Sequence, residues 1–200
     1  MSSTDRRPAL VQSYDAAADI VTGVRADQLE GPTPCPAYDV ATLVDHLVFA
    51  GWRAAALGRG ERLTDERPHV SLVDAPAELR RAASDAERGW ADDARLTATV
   101  QMPWGETYAG ATLVDMYLAE LATHSWDLAA ATGQLDRLNG SFVHQAHEGA
   151  RAMLKPEYRD MMGKGNPYGA EVETPADATE WDRFVAFMGR NPTGWRRIPL

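Results

Sequence analysis

Apolar residues recur at helical spacing in segment after segment of this chain, while strict apolar–polar alternation is scarce, and that periodicity restricts the fold to a predominantly helical one. The first stripe, from about Pro8 to Val24, sets Leu10, Tyr14, Ala17, Val21 and Val24 on one side. Pro8 suits its first turn and Gly23 marks its end. Thr33-Pro-Cys-Pro36 then forbids helix, because proline lacks an amide proton and pushes its predecessor into extended geometry. Asp39 is placed as N-cap of a second helix, about Val40 to Leu57, with Leu43, Leu47, Ala50, Ala54 and Leu57 as its apolar face and Gly58 as its stop.

Residues 58–74 read as a polar loop. A third helix, about Pro76 to Ala94, keeps Leu79, Ala83, Ala86 and Trp90 on one face. Between Leu96 and Tyr108 the chain is rich in Thr and Val around Pro103 and Gly105, which predicts a short extended pair. The fourth helix, about Ala111 to Thr132, is the longest, and Gly133 ends it. A fifth runs from about Asn139 to Leu154, Lys155 to Thr174 is loop-like with Gly163, Gly165, Pro167 and Gly169, and a last short helix fits about Ala178 to Met188. The expectation is an all-α single domain over residues 1–200, a helical bundle with one or two extra short helices and a minor extended segment.

Hydrophobic residues at 44% and charged residues at 24% exclude a disordered chain, a collagen-like chain or a coiled-coil rod. Two hundred residues suffice to bury a core without disulfides. The formal charge of -9 argues against a nucleic-acid footprint or a polybasic membrane contact, so a small ligand or a protein partner is expected. Cys35, the single cysteine, has no intramolecular disulfide partner, and no apolar run approaches the roughly 18 residues of a membrane span. Met1-Ser-Ser-Thr-Asp-Arg-Arg-Pro8 does not lead into a secretory h-region, and a cytoplasmic location is expected.

Polar residues interrupt the fourth stripe. With Tyr117 at zero, Leu113, Leu121, Leu128 and Ala131 fall within about 40° at ~100° per residue, and His124 falls among them. Glu120 lies about 60° to one side, one turn from His124. A core-facing carboxylate requires a cation, a histidinium or a metal opposite it. An intrahelical Glu120–His124 ion pair or a water-filled polar pocket would satisfy that need. His46, at the border of the second helix's apolar stripe, brings a third inward-pointing donor, and two His with one carboxylate suit zinc and related divalent metals with coordination positions left open. Asp127, three residues after His124, either accepts a hydrogen bond behind it or faces solvent.

His144 and Glu148 share the same spacing of four, but both project opposite Phe142, Ala150 and Met153, as a solvated pair would. His69 and His147 form no constellation. Cys35 reads as a small packed residue, with nucleophile or metal-site neighbour as the alternatives. Arg190, Arg196 and Arg197 read as a basic solvent-exposed tail, the alternative being bidentate contact to a carboxylate of a thiol cofactor or substrate. Trp126, opposite the candidate ligands, suits either a dimer contact or packing against the Leu96 to Tyr108 segment, so monomer and homodimer both stand. No phosphate-binding glycine motif occurs.

Thr33-Pro-Cys-Pro-Ala-Tyr-Asp-Val40 followed by Leu43-Val-Asp-His-Leu47, then Glu120-Leu-Ala-Thr-His-Ser-Trp-Asp-Leu-Ala-Ala-Ala-Thr-Gly133, then Phe187-Met-Gly-Arg-Asn-Pro192, together carry a resemblance. The chain resembles the DinB/YfiT-like metal-binding superfamily, in the group of the N-terminal domain of mycothiol-dependent maleylpyruvate isomerase, with Tyr38 where an indole is more usual. The resemblance implies an antiparallel four-helix bundle and a divalent metal, zinc first and nickel, manganese or iron as alternatives, bound by His46, Glu120 and His124. It also implies a low-molecular-weight thiol such as mycothiol as co-substrate, activated as a thiolate toward a small electrophile. The residues after Gly133 are fewer than that enzyme's additional C-terminal domain needs, so maleylpyruvate itself is not carried over. The expected function is therefore a metal-dependent thiol S-transferase or isomerase. The alternatives are a hydrolase using metal-activated water and a non-catalytic metal-binding or interaction module.

Overall fold

The computed structural model describes residues 5–63, 69–155, 159 and 168–195. Helices α1 (Arg7–Thr22), α2 (Val40–Arg59), α3 (Ala75–Gly89), α4 (Asp93–Thr97), α5 (Gly110–Thr132), α6 (Val143–Met153), α7 (Glu180–Phe187) and α8 (Pro192–Trp195) account for most of them. Two short strands, β1 (Thr99–Gln101) and β2 (Thr107–Ala109), pair antiparallel with Val100 opposite Tyr108, which is the extended pair the Thr/Val-rich segment predicts. Both α1 and α2 pack against α3 and against α5, so these four helices enclose one core; α6 lies on α5, and α7 on α6. Tyr14, Leu43, Leu47, Leu79, Leu113, Leu118, Trp126, Phe142 and Phe184 are fully enclosed there. Each such side chain contributes roughly 1.5–3 kcal/mol of transfer free energy.

Local chemistry sets the helix ends. Asp39 caps α2, its side chain accepting a 2.8 Å hydrogen bond from the Thr42 amide. The helix runs through Gly58 and stops at Gly60, which takes the left-handed conformation at φ 77°. Gly58 is instead a packing residue, since a Cβ there would stand 2.7 Å from Cδ1 of Trp90. That contact also divides the predicted third helix. The Trp90 indole turns in and donates to Ala54 O at 3.0 Å, and Asp92 caps a new short helix by accepting from the Ala94 amide at 2.9 Å. Hence α3 ends at Gly89 rather than near Ala94. Gly133, at φ 72°, closes α5 where the sequence places its stop.

Trp126 is completely buried, which removes it as a dimer contact. By length and composition α2 is long and apolar enough to cross a membrane, yet it carries Asp45, His46 and Arg53 and is mostly buried in the core. Arg196 and Arg197 lie outside the described residues, as do Gly163, Gly165 and Pro167 of the glycine-rich segment.

Candidate metal centre

The inward faces of α2 and α5 bring His46, Glu120 and His124 together, as their positions on the two stripes predict. One donor atom from each lies within 4.8 Å of the other two. His46 Nε2 is 2.8 Å from Glu120 Oε1, His124 Nε2 is 3.5 Å from the same oxygen, and the imidazole rings stand 4.8 Å apart at 84°. His124 is fully buried, whereas His46 and Glu120 keep side-chain exposures of 13% and 17%. Burial raises the Glu120 pKa, but His124 and His46 outweigh it and hold the carboxylate well below its usual range.

Asp127, left open between two roles by the sequence, is buried and sits behind His124. Its Oδ2 accepts from His124 Nδ1 at 2.9 Å. An ionised carboxylate only accepts, so Nδ1 carries the hydrogen and the lone pair of a neutral His124 is directed from Nε2 toward Glu120. Burial opposes the Asp127 charge; the Arg190 guanidinium overcomes it and lowers the pKa.

Arg190 corrects the sequence reading of a solvent-exposed basic tail. It is 4% exposed, donates from Nε and Nη2 to the two Asp127 oxygens at 3.1 and 2.8 Å, and gives Nη1 to Met188 O at 3.0 Å. The left-handed Gly189, φ 88°, turns the chain after α7 so that the arginine points back into the core. Local sequence alone makes Arg190 read as tail; the acid that draws it inward is 63 residues away.

Two tyrosines complete the surroundings. Tyr168 donates its hydroxyl hydrogen to Glu120 Oε2, leaving Oε1 toward the histidines. Burial, then the Glu120 charge, raise the Tyr168 pKa well above its ordinary value, so it remains a donor. No periodicity signals Tyr168, because it lies in an irregular segment. Tyr38 lies against His46 with ring centroids 4.7 Å apart and a 30° tilt. It is positioned by the Thr33-Pro-Cys-Pro36 turn, where Thr33 Oγ1 donates to Tyr38 O at 2.8 Å and accepts from the Cys35 amide at 3.2 Å.

Cys35 is buried and its thiol pKa is raised by that burial. It stands near His124 and Asp127, and the three donor atoms all lie within 4.8 Å of one another. Both Asp127 oxygens are, however, engaged by Arg190 and His124, which leaves that second group without a free carboxylate. The first group fits a cation better: His124 Nε2 is enclosed by protein and faces Glu120 Oε1 at 3.5 Å without a hydrogen bond among the described residues, and two nitrogens with one carboxylate oxygen are a divalent-metal donor set. His46 Nδ1 likewise has no hydrogen-bond partner among the described residues.

The other histidines stand apart from this cluster. His144 and Glu148 form the exposed pair expected of them at 3.6 Å, joined by Glu180 at 2.8 Å. His69 meets Asp45 at the surface, and His147 packs against Phe184 and Phe187.

A model of the mycothiol maleylpyruvate isomerase N-terminal domain matches residues 10–129, a span that includes His46, Glu120, His124 and Asp127 and ends before Tyr168 and Arg190. Two uncharacterized proteins from two strains of Mycobacterium tuberculosis are each 33% identical over 179 residues, covering 90% of this chain and 94% of the relative. No solved structure matches.

Proposed function

The chain belongs to the mycothiol maleylpyruvate isomerase N-terminal domain family, and on that footing we propose that it is a divalent-metal-dependent thiol S-transferase or isomerase built on an antiparallel four-helix bundle. The observation that carries the reading is the convergence of His46 Nε2, Glu120 Oε1 and His124 Nε2 from two facing helices, with the last of these buried and turned toward the carboxylate. These three residues would hold zinc, or nickel, manganese or iron, and leave positions for a ligand. A divalent cation there would lower a thiol pKa from about 8.5, so that mycothiol or another low-molecular-weight thiol is available as thiolate at neutral pH. Asp127 fixes the His124 tautomer and ring plane, and Arg190 keeps Asp127 ionised. Tyr168 occupies the second Glu120 oxygen and Tyr38 walls the side of His46. Cys35 remains a thiol inside the core, so the attacking sulfur comes from the co-substrate.

Elemental analysis of protein purified without a chelator or a histidine tag tests the reading. About one equivalent of metal is expected, lost in folded His46→Ala, Glu120→Ala and His124→Ala, and the loaded protein should then conjugate or isomerise small electrophiles only with a thiol present. Protein that stays empty on titration with all four metals removes the proposal. Turnover of esters or amides without thiol would reassign the chemistry to hydrolysis.

A further inference from the structure

Arg53 follows His46 by seven residues on α2, which at ~1.5 Å and ~100° per residue sets it on the same helix face about 10 Å further along. On the facing helix, Tyr117 precedes Glu120 by three residues, and the Arg53 guanidinium lies beside the Tyr117 hydroxyl. Its central carbon is 5.2 Å from the ring centroid of Phe49 and 5.6 Å from that of Trp104. Phe49 is buried, while Trp104, in the turn of the β1–β2 hairpin, is 49% exposed.

Among the described residues the guanidinium is satisfied only in part, by the Tyr117 hydroxyl beside it. Nε and Nη2 are both shut off from solvent, and neither has a hydrogen-bond partner. Arg6 also has an unpaired Nε, but its other nitrogens meet Asp115 and Glu148, and Arg190 is held by Asp127. Among the described residues no acid pairs with Arg53. The two idle nitrogens form the edge of the guanidinium that presents parallel N–H bonds, and that edge matches the two oxygens of a carboxylate. Buried charged donors without acceptors are unfavourable, and a ligand that supplies the acceptors relieves them. The aromatic contacts at Phe49 and Trp104 restrain the group and favour approach in its plane.

We propose that the Nε/Nη2 edge of Arg53 is a binding site for the carboxylate of a small-molecule ligand. Because that edge is enclosed, such a ligand reaches it only as the half-exposed Trp104 side chain swings aside, and its remainder extends along the α2–α5 face toward His46. A phosphate is the poorer match, since its three charged oxygens exceed what one fork and one hydroxyl can satisfy. What lies at the far end rests on the metal reading above; the carboxylate contact rests on Arg53 itself.

The test is titration with phenylacetate, with neutral phenylacetamide and inorganic phosphate as comparisons, on both chelator-stripped and zinc-loaded protein. Arginine Nε–H signals are followed by NMR, and ligand signals are followed for the variants. A saturable shift of the Arg53 signal is expected with phenylacetate in both metal states. Arg53→Gln should abolish binding and keep the metal content, and Arg53→Lys should weaken it by about an order of magnitude by reducing two parallel donors to a point charge. An unshifted Arg53 signal, equal binding to a folded Arg53→Gln, or phosphate outcompeting phenylacetate would each overturn the proposal. Because the stripped protein is one arm, failure of the metal site does not decide the result.

Discussion

Asp127 and Arg190, 63 residues apart, are joined by two hydrogen bonds inside the core, with side-chain exposures of 0% and 3%. The pair ties the turn between α7 and α8 to the back of His124, the most deeply buried of the three candidate ligands.

Removing one partner leaves an uncompensated buried charge. Arg190→Met should therefore destabilise the protein by about 3–5 kcal/mol, read from denaturant unfolding midpoints. Adding Asp127→Asn should recover part of that loss, because a neutral amide no longer needs the cation. A double variant less stable than Arg190→Met alone would contradict this account.

Asp127 also sets the tautomer of His124. Asp127→Asn should weaken zinc binding by about 10–100-fold, measured by competition with a chromogenic chelator. The Asp127→Asn/Arg190→Met protein should show the same weakening, which separates ligand orientation from the stability of the ion pair.

In the metal-free protein His124 is pushed up to about 9: burial opposes its charge, and Glu120 and Asp127 outweigh burial. Its folded value lies above the ordinary 6.5, so its stabilising contribution is complete below about 6.5 and disappears as pH rises through about 9. Chelator-treated protein should accordingly melt at lower temperature above that pH than at neutrality. Zinc added to the same protein in weak buffer at neutral pH should release a proton, because a ligating imidazole gives up its second hydrogen. Calorimetry in buffers of different ionisation enthalpy measures that release.

Gly110 begins α5, and a Cβ built on it would stand 1.9 Å from the backbone oxygen of Arg95. Gly110→Ala should destabilise by about 1–3 kcal/mol, since a main-chain atom has little room to yield. Gly140→Ala is the control: its nearest neighbour would be Trp181 Nε1 at 3.7 Å, an ordinary contact.

Much of this arrangement is written in local pattern. The helical stripes locate α1, α2, α5 and α6 to within a few residues, and the misplaced polar groups on two of those stripes single out His46, Glu120 and His124. Where the chain departs from expectation, a contact distant in sequence decides. Trp90 docks on Gly58 and ends α3 early; Asp127 draws Arg190 inward; Glu120 receives Tyr168 from an irregular segment. None of these has a periodicity, because each depends on which surfaces meet after the helices pack. Arg53 is a mixed case: its face follows from its spacing to His46, but its unsatisfied edge is visible only once its neighbours are in place.

The order in which the chain emerges from a ribosome gives the Asp127–Arg190 pair a further meaning. All three candidate ligands are made before residue 125, and α1, α2, α3 and α5 can close around them as soon as Gly133 is out. Asp127 would then be enclosed with His124 as its only counter-charge until Arg190 follows. A growing chain thus gains Arg190, the counter-charge behind the candidate metal centre, only after every residue of that centre has been made.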